Sequence, residues 1–253
     1  MLATILRRFR GAAPREPERE DVPPSDGTEE DDYRKLRVGF TAAVSHELRT
    51  PLARLLALLD SADLPDADVH DLIARARDEV ERMSELVDDV LFLSEVETGH
   101  EVVSLRSTQL LPILEEVAAA TRERAERAGI TVVVVASSDV VIPLRPRLLR
   151  TLVENLVENV IRHARGATRC TLAGRREGDR ILLSVADNGA GIPAVELPRV
   201  FERFYRGDAS RSSRGSGLGL AIVKHVVTAA GGDVEARVGP GGLGVDVRCT
   251  FRV

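Results

Sequence analysis

Two stretches of regularly spaced apolar residues constrain the fold of the first hundred residues most strongly. In the first stretch, apolar residues recur at steps of three and four: Leu36, Phe40, Val44, Leu48, Leu52, Leu55 and Leu59. The second stretch has the same steps: Val69, Leu72, Ala76, Val80, Met83, Val87 and Val90. This spacing places apolar side chains on one face of an α-helix. The pattern therefore predicts two amphipathic helices, the first beginning near Asp31 or Asp32, joined by a turn at 61–66.

Two helices joined by so short a turn form an antiparallel hairpin. A single hairpin has one apolar seam and no further surface of its own against which to bury it. We therefore predict a homodimer in which two hairpins close a four-helix bundle. The alternative is that the apolar faces dock on the second half of the same chain.

A histidine lies off the first apolar face. His46 follows Val44 by two residues, so it is rotated by about 200° from that face. Glu47 beside it can accept a proton from one ring nitrogen and leave the other nucleophilic, as a base does when it activates histidine for covalent chemistry. Pro51 lies inside the helical pattern and predicts a kink next to the histidine. The pattern therefore predicts an imidazole that points away from the packed seam.

The composition limits the partners of the chain. The net charge of −5, the aromatic content of 3% and the lack of tryptophan argue against a nucleic-acid surface. Cys170 and Cys249 lie far apart in strand-like runs, which fits a reducing cytoplasm and no disulfide framework. No apolar run reaches the roughly 18 residues of a membrane span. We expect a cytoplasmic protein, with membrane association only through residues 1–10 or through a partner.

The pattern divides the chain into three parts. Residues 1–31 are rich in proline and acidic residues, which predicts a disordered tail or linker. Residues 32–99 form the predicted hairpin. Residues 105–253 mix helical and strand patterns, which predicts a two-layer α/β sandwich. The predicted helices of this part start at 110 and cover 146–163 and 218–230. The predicted strands cover 130–136, 140–142, 169–173, 180–186, 233–238 and 244–251.

Four segments of the third part each suit nucleotide binding. Asn155 and Asn159 lie one turn apart on one side of a predicted helix. Neutral asparagine oxygens, with phosphate oxygens and waters, can complete an octahedral magnesium shell, and Arg162 can meet phosphate charge. Asp187 follows an apolar strand, where a carboxylate can accept from an exocyclic amine. An asparagine pair alone is more often a pair of solvated polar positions on a helix.

The other two segments lie further along the chain. The amphipathic segment 201–206 is followed by a polar run of small residues at 207–214, which predicts a lid. The glycine-rich segment 215–219 then opens a helix, where free N–H groups and the positive helix end favour a phosphate. A glycine-rich loop alone is weak evidence, because an ordinary flexible loop before a helix has the same composition.

In combination, these segments resemble the sensor histidine kinases, which join a dimerisation and phosphoacceptor hairpin to the Bergerat-type ATP-binding domain of gyrase-like ATPases. The family's phosphoacceptor box, His-Glu-x-x-Thr-Pro-Leu, is matched from His46 to Leu52. The resemblance implies that His46 is phosphorylated and that Glu47 is its base. It also implies that Thr50 positions water when the dimer dephosphorylates its partner.

The resemblance also implies ATP and Mg²⁺ as cofactors. It makes Asn159 the magnesium ligand, Asp187 the contact of the adenine amine, and Arg206 a neighbour of the terminal phosphate. Arg162 and His163 stand where lysine and tyrosine are usual in the family. The residues implied to bind the nucleotide are Asn155, Asn159, Arg162, His163, Asp187, Gly189, Gly191, Arg206, Gly215, Gly217, Leu218 and Gly219.

One position separates a kinase from a hydrolase. Gyrase-like relatives carry a glutamate that activates water where this chain has Asn155. Glu154 and Glu158 project about 100° to either side of the asparagines. We therefore predict that water attack is slow and that His46 is the preferred nucleophile.

These observations predict ATP-dependent autophosphorylation of His46, followed by transfer to an aspartate on the receiver domain of a response regulator. Input would come from an upstream sensor partner or from a region outside this chain. One alternative is an enzyme dominated by phosphatase activity towards the regulator. Another is a non-catalytic dimeric scaffold that binds nucleotide as a signal. An anti-sigma-factor kinase would have no need of the hairpin that carries His46.

Overall fold

The computed structural model describes residues 27–62, 64, 68–97, 107–207 and 215–252, with side chains from Thr41 onwards. Most of the predicted tail, three of the six residues of the turn between the two helices and the start of the third part lie outside these residues. The predicted lid lies outside them too, except for Gly207.

The hairpin consists of helix α1, Gly27–Ala62, and helix α2, Val69–Glu97. The predicted start of α1 near Asp31 is wrong, because the helix begins at Gly27. α1 continues through Pro51, so the proline does not end the helix.

Three helices and a mixed sheet form the rest of the chain. The helices are α3, Leu110–Arg127, α4, Pro146–His163, and α5, Gly219–Ala229. The strands are β1, Thr108–Gln109, β2, Thr131–Ala136, β3, Val141–Ile142, β4, Arg169–Glu177, β5, Arg180–Asp187, β6, Asp233–Val238, and β7, Val245–Arg252. The predicted class, a helical hairpin followed by an α/β sandwich, is confirmed.

The sheet has the order β2-β4-β5-β7-β6, with β2 and β4 parallel and the other pairs antiparallel. β1 and β3 form a separate two-stranded pair. Helix α3 contacts α4, α4 contacts α5, and the three helices cover the sheet. The core side of α4 carries only apolar residues: Leu148, Leu149, Leu152, Val153, Leu156, Val157 and Val160. Its opposite side is therefore free to carry polar residues.

The predicted strand bounds differ from the structure mainly at the β4–β5 hairpin. β4 was predicted to end at 173 but continues to Glu177, which pairs with Arg180. The polar residues at its end do not alternate in burial, so the pattern alone did not reveal them as strand. β1 was not predicted, because two residues carry no periodicity.

Part of the hairpin packs on the second half of the chain. Leu86, Leu93 and Val96 of α2 are buried in the common core, and α2 contacts α5. These three residues do not belong to the predicted apolar stripe, so docking on the second half of the chain uses a different face of α2. A different apolar face of the hairpin remains exposed: Leu52, Leu56, Leu59, Val69, Ile73, Val80, Val87 and Leu91. This exposed face includes members of both predicted apolar stripes.

Both cysteines are free and buried. Burial raises the pKa of the Cys170 thiol to about 12, so this thiol is protonated at neutral pH. Burial also raises the pKa of Cys249. Their pairing partners in the sheet are Asp187 and Leu183, so the two thiols are not opposite each other. Within the described residues, no helix is both long and apolar enough to cross a membrane.

Candidate active site

A cavity of about 550 Å³ opens beside α4. This volume lies in the range of small-molecule and cofactor sites, roughly 300–1,000 Å³. Its walls come from the polar side of α4, the segment after β5, the segments on either side of residues 208–214, and α2. Nine of the twelve predicted nucleotide-binding residues line it: Asn155, Asn159, Arg162, His163, Gly191, Arg206, Gly215, Gly217 and Gly219. The structure thus brings together residues that lie up to 64 positions apart (219 − 155) in the chain.

The two asparagines of α4 differ in their bonding. The Asn155 amide donates to the Thr151 carbonyl at 2.9 Å, and its oxygen faces α5, where a Cβ added at Gly219 would come within 2.8 Å of it. The Asn159 side chain lines the cavity and makes no hydrogen bond to any group in the described part of the chain. Its amide oxygen is therefore available to a ligand.

This arrangement fits a magnesium ion. Mg²⁺ is usually held by one or two protein oxygens together with substrate phosphates and water. Asn159 supplies one such oxygen on the cavity wall, and Arg162 and Arg206 line the same cavity. Cations placed in this way can balance the charge of a polyphosphate.

Asp187 lies behind the cavity wall. Its side chain is buried, with Oδ1 accepting the Gly189 N–H at 2.8 Å and Oδ2 accepting the Val245 N–H at 3.2 Å. Asp187, Gly189 and Leu218 are the three predicted residues that do not line the open cavity. Two backbone donors fix the orientation of this carboxylate at the end of β5. The role of Val245 was missed, because strand pairing between β5 and β7 brings it to Asp187 from 58 residues away.

Gly244 lies directly against the backbone of Asp187, in a left-handed conformation. Its φ is +67°, and a Cβ at this position would lie 2.1 Å from the Asp187 carbonyl oxygen. Gly241 has a similar φ of +73° but no atom within 4 Å of the corresponding Cβ. The two glycines therefore share a left-handed backbone conformation, which would strain any residue with a side chain, and only Gly244 lies against Asp187.

Replacing Gly244 by alanine is expected to lower the free energy of unfolding by about 2–4 kcal/mol, because left-handed strain and overpacking add. Gly241→Ala carries the strain alone and is expected to cost about 1–2 kcal/mol. Urea unfolding of both variants measures the difference. Equal losses would show that Gly244 does not hold Asp187 in place.

The segments on either side of residues 208–214 are held together by a backbone contact. Phe204 has a φ of 60°, which is unusual for a residue with a side chain. Its N–H donates to the Gly217 carbonyl at 3.0 Å. A Cβ at Gly217 would lie 2.9 Å from the Phe204 backbone, so a glycine is needed for this approach. The amphipathic segment 201–206 and the glycine-rich segment 215–219 are therefore adjacent in space.

A tyrosine that the sequence did not single out completes this wall. The Tyr205 hydroxyl donates to Glu196 Oε2 at 3.2 Å, and the Arg199 guanidinium lies 4.5 Å from the centre of the tyrosine ring. Tyr205 and Glu196 both line the cavity. Of the two phenylalanines in the amphipathic segment 201–206, Phe201 is buried in the core.

The cations of the cavity affect the charge of His163. Burial lowers the pKa of its imidazole most, and Arg162 and Arg206 lower it further. The ring is therefore neutral at pH 7 and offers a flat, uncharged surface. It faces the glycine segment, since a Cβ at Gly215 would lie 3.4 Å from its Nε2.

Glu154 and Glu158 line the cavity, which the helical rotation argument did not predict. Glu158 is paired with Arg124 and with Arg162, the latter at 3.1 Å. Burial raises the pKa of Glu154. Two guanidinium groups thus engage the Glu158 carboxylate.

His46 lies on α1 and is 76% exposed in its side chain, which confirms the predicted orientation. Its Nδ1 is 3.9 Å from Glu47 Oε1, a distance within reach of an ion pair and too long for a hydrogen bond. The Thr50 hydroxyl donates to the His46 carbonyl at 3.4 Å. His46, Glu47 and Thr50 do not line the cavity.

Comparisons with known proteins agree with this geometry. Residues 36–99 match the His Kinase A (phospho-acceptor) domain, and residues 145–253 match the histidine kinase-, DNA gyrase B- and HSP90-like ATPase family. The chain belongs to the sensor histidine kinases, as the motifs predicted.

Individual relatives support this assignment. The chain is 34% identical over 222 residues to the sensor-like histidine kinase SenX3 of Mycobacterium tuberculosis, covering 84% of this chain and 54% of SenX3. The Acinetobacter baumannii histidine kinase AdeS has the same fold, with a TM-score of 0.66 and 23% identity over 82% of this chain and 97% of AdeS. Full-length ShkA in complex with AMPPNP aligns with a TM-score of 0.60 and 28% identity, covering 83% of this chain and 44% of ShkA. The chain spans about half the length of SenX3.

Proposed function

We propose that this chain is an ATP-dependent protein-histidine kinase that phosphorylates His46 and passes the phosphoryl group to an aspartate on a response-regulator receiver domain. The observation that carries the proposal is the presence in one chain of an exposed histidine and a cavity with an unengaged Asn159 oxygen among cations. The AMPPNP bound to ShkA is an ATP analogue, which supports ATP as the ligand of the related cavity here.

Residues of the cavity would hold the nucleotide in defined places. The Asn159 oxygen would ligate Mg²⁺, which supplies charge neutralisation of the phosphates when bound. Arg206 lines the cavity beside the glycine segment and would face the terminal phosphate. The start of α5 would offer backbone N–H groups to phosphate oxygens. Asp187, fixed by two backbone donors, would lie behind the adenine and accept from its amine.

The acceptor is His46. Glu47 would take the proton from one ring nitrogen after a small side-chain rotation from its present 3.9 Å. The other nitrogen attacks the γ-phosphorus in line, so that a P–N bond forms as the bond to the bridging oxygen breaks and ADP leaves with that electron pair. Since His46 does not line the cavity of its own chain, transfer requires either a movement of the ATP-binding part relative to α1 or the cavity of the partner subunit.

A homodimer would bury the exposed apolar face of the hairpin, which contains eight large apolar residues from Leu52 to Leu91. Apolar patches of this extent on helices are typical of association surfaces. Two copies would pair these faces in a four-helix bundle. The receiver domain of the regulator would then approach the exposed imidazole of His46.

Phosphatase activity towards the regulator is the second candidate. Thr50 lies one helical turn after His46, exposed on α1, and its hydroxyl donates to the His46 carbonyl. A hydroxyl at this position can orient a water molecule next to the site where a phosphoaspartate would dock. The same hairpin would then serve both the transfer of the phosphoryl group to the regulator and its removal from the regulator.

Incubation of the protein with ATP labelled at the γ or the α position tests the kinase proposal. We expect label from the γ position only, in a form that is lost in acid and stable in alkali, because protonation of a phosphohistidine makes the imidazole a good leaving group. Label transferred from the α position, or a modification stable in acid, would contradict the proposal.

A further inference from the structure

The cavity contains an acidic surface that the proposed reaction does not use. Glu85, Asp88 and Asp89 of α2 line the cavity together with the residues of α4 and α5. A nucleotide triphosphate is itself a polyanion, and like charges at short range repel strongly when partly removed from water. The three α2 carboxylates on the cavity wall would therefore oppose the binding of a triphosphate.

Glu85 engages Arg162, a cation of the cavity that the sequence predicts to meet phosphate charge. The two Nη atoms of Arg162 lie 3.2 and 3.3 Å from the two carboxylate oxygens of Glu85. Glu158 accepts the remaining Nε–H at 3.1 Å. Every nitrogen of the Arg162 guanidinium thus has a carboxylate partner, and three of its five N–H groups are engaged.

Asp89 engages a residue of the glycine-rich segment 215–219. The Ser216 hydroxyl donates to Asp89 Oδ2 at 2.9 Å and accepts the Leu218 N–H at 3.2 Å. The carboxylate is therefore one hydrogen bond away from the beginning of α5, where the helix favours an anion. Burial raises the pKa of Asp89 and the bond from Ser216 opposes this rise, so the docked carboxylate carries a desolvation cost that is removed when α2 undocks.

We propose that Glu85 and Asp89 act as an internal competitor for the phosphates of the nucleotide. They occupy Arg162 and Ser216 when α2 is docked, so that docking of α2 and binding of the triphosphate oppose each other. The inference rests on the proposed function, since it takes this cavity as the ATP site. By thermodynamic linkage, a signal that draws α2 away raises the affinity for ATP, and ATP binding weakens the docking of α2 to the same extent. The binding of ATP and the undocking of α2 from the cavity are then coupled.

The test is the Kd of ATP with Mg²⁺, measured by calorimetry on the full chain, the Glu85→Ala and Asp89→Ala variants and the double variant. Alanine is a strong helix former, so α2 should persist, and thermal melting checks this. We expect the double variant to bind ATP about tenfold more tightly. The removed carboxylates no longer compete for a hydrogen bond between charged groups, and such a bond is worth about one order of magnitude in Kd. Each single variant should lie between the double variant and the original chain.

Glu81→Ala is the matched control, because Glu81 is exposed on the same helix and does not line the cavity. It removes one negative charge and should leave the Kd within about twofold, since exposed charges interact weakly. Unchanged or weaker binding by the double variant, with measurable binding by the original chain, would overturn the inference and leave the proposed function intact. Absence of ATP binding in every form would instead refute the proposed function.

Discussion

Replacing His46 by glutamine is expected to abolish incorporation of the γ-phosphoryl group, a loss of roughly a thousandfold or more, because the attacking nitrogen is removed. Glutamine keeps a polar side chain on the exposed side of α1, so the helix and the distant cavity should be unaffected. The Kd of ATP is therefore expected to stay unchanged. The measurement is the initial rate of labelling with γ-labelled ATP, alongside calorimetry for binding.

His70→Gln provides the matched control, since His70 is a second exposed histidine of the hairpin, on α2. It should label at the original rate. Labelling of the His46→Gln variant at a rate close to that of the control would show that another residue receives the phosphoryl group.

Replacing Asn159 by alanine is expected to lower the rate of labelling by roughly 10²–10³, the usual loss when one preorganised group that stabilises transferring charge is removed. Because the Asn159 side chain makes no hydrogen bond within the described part of the chain, its removal should not destabilise α4. Alanine is also the better helix former, so the melting temperature should stay the same or rise slightly.

The magnesium dependence separates a metal ligand from a packing residue. Asn159→Ala should need a higher Mg²⁺ concentration for half-maximal labelling, and Asn159→Asp, which retains an oxygen at the position, should need less than the alanine variant. A labelling rate within about threefold of the original, with an unchanged magnesium requirement, would exclude Asn159 as the ligand, since such a ligand is worth far more.

Local periodicity was enough to predict the parts of the site that lie on helices. The rotation of His46 from the apolar face follows from two residues of helical advance, and its exposure agrees with it. The placement of Asn155 and Asn159 on one wall follows in the same way from their one-turn spacing. In both cases, a few neighbouring residues are enough to distinguish the apolar side of the helix from its polar side.

Contacts between distant segments could not be predicted in this way. The bond from the Val245 N–H to Asp187 depends on the pairing of β5 with β7, and no local pattern defines that register. The ion pair of Glu85 with Arg162 joins residues 77 positions apart and depends on how α2 docks. Charged residues on an exposed helix face are usually solvated, so their sequence carried no sign of a partner.

The central claim is that the γ-phosphoryl group of ATP becomes bonded to His46. Mass spectrometry of the protein after incubation with ATP and Mg²⁺, with digestion and separation kept at alkaline pH, tests it most directly. We predict one phosphoryl group on the peptide that contains His46, with fragment ions that place it on the imidazole. A phosphoryl group on any other residue, with the His46 peptide unmodified, would contradict the account.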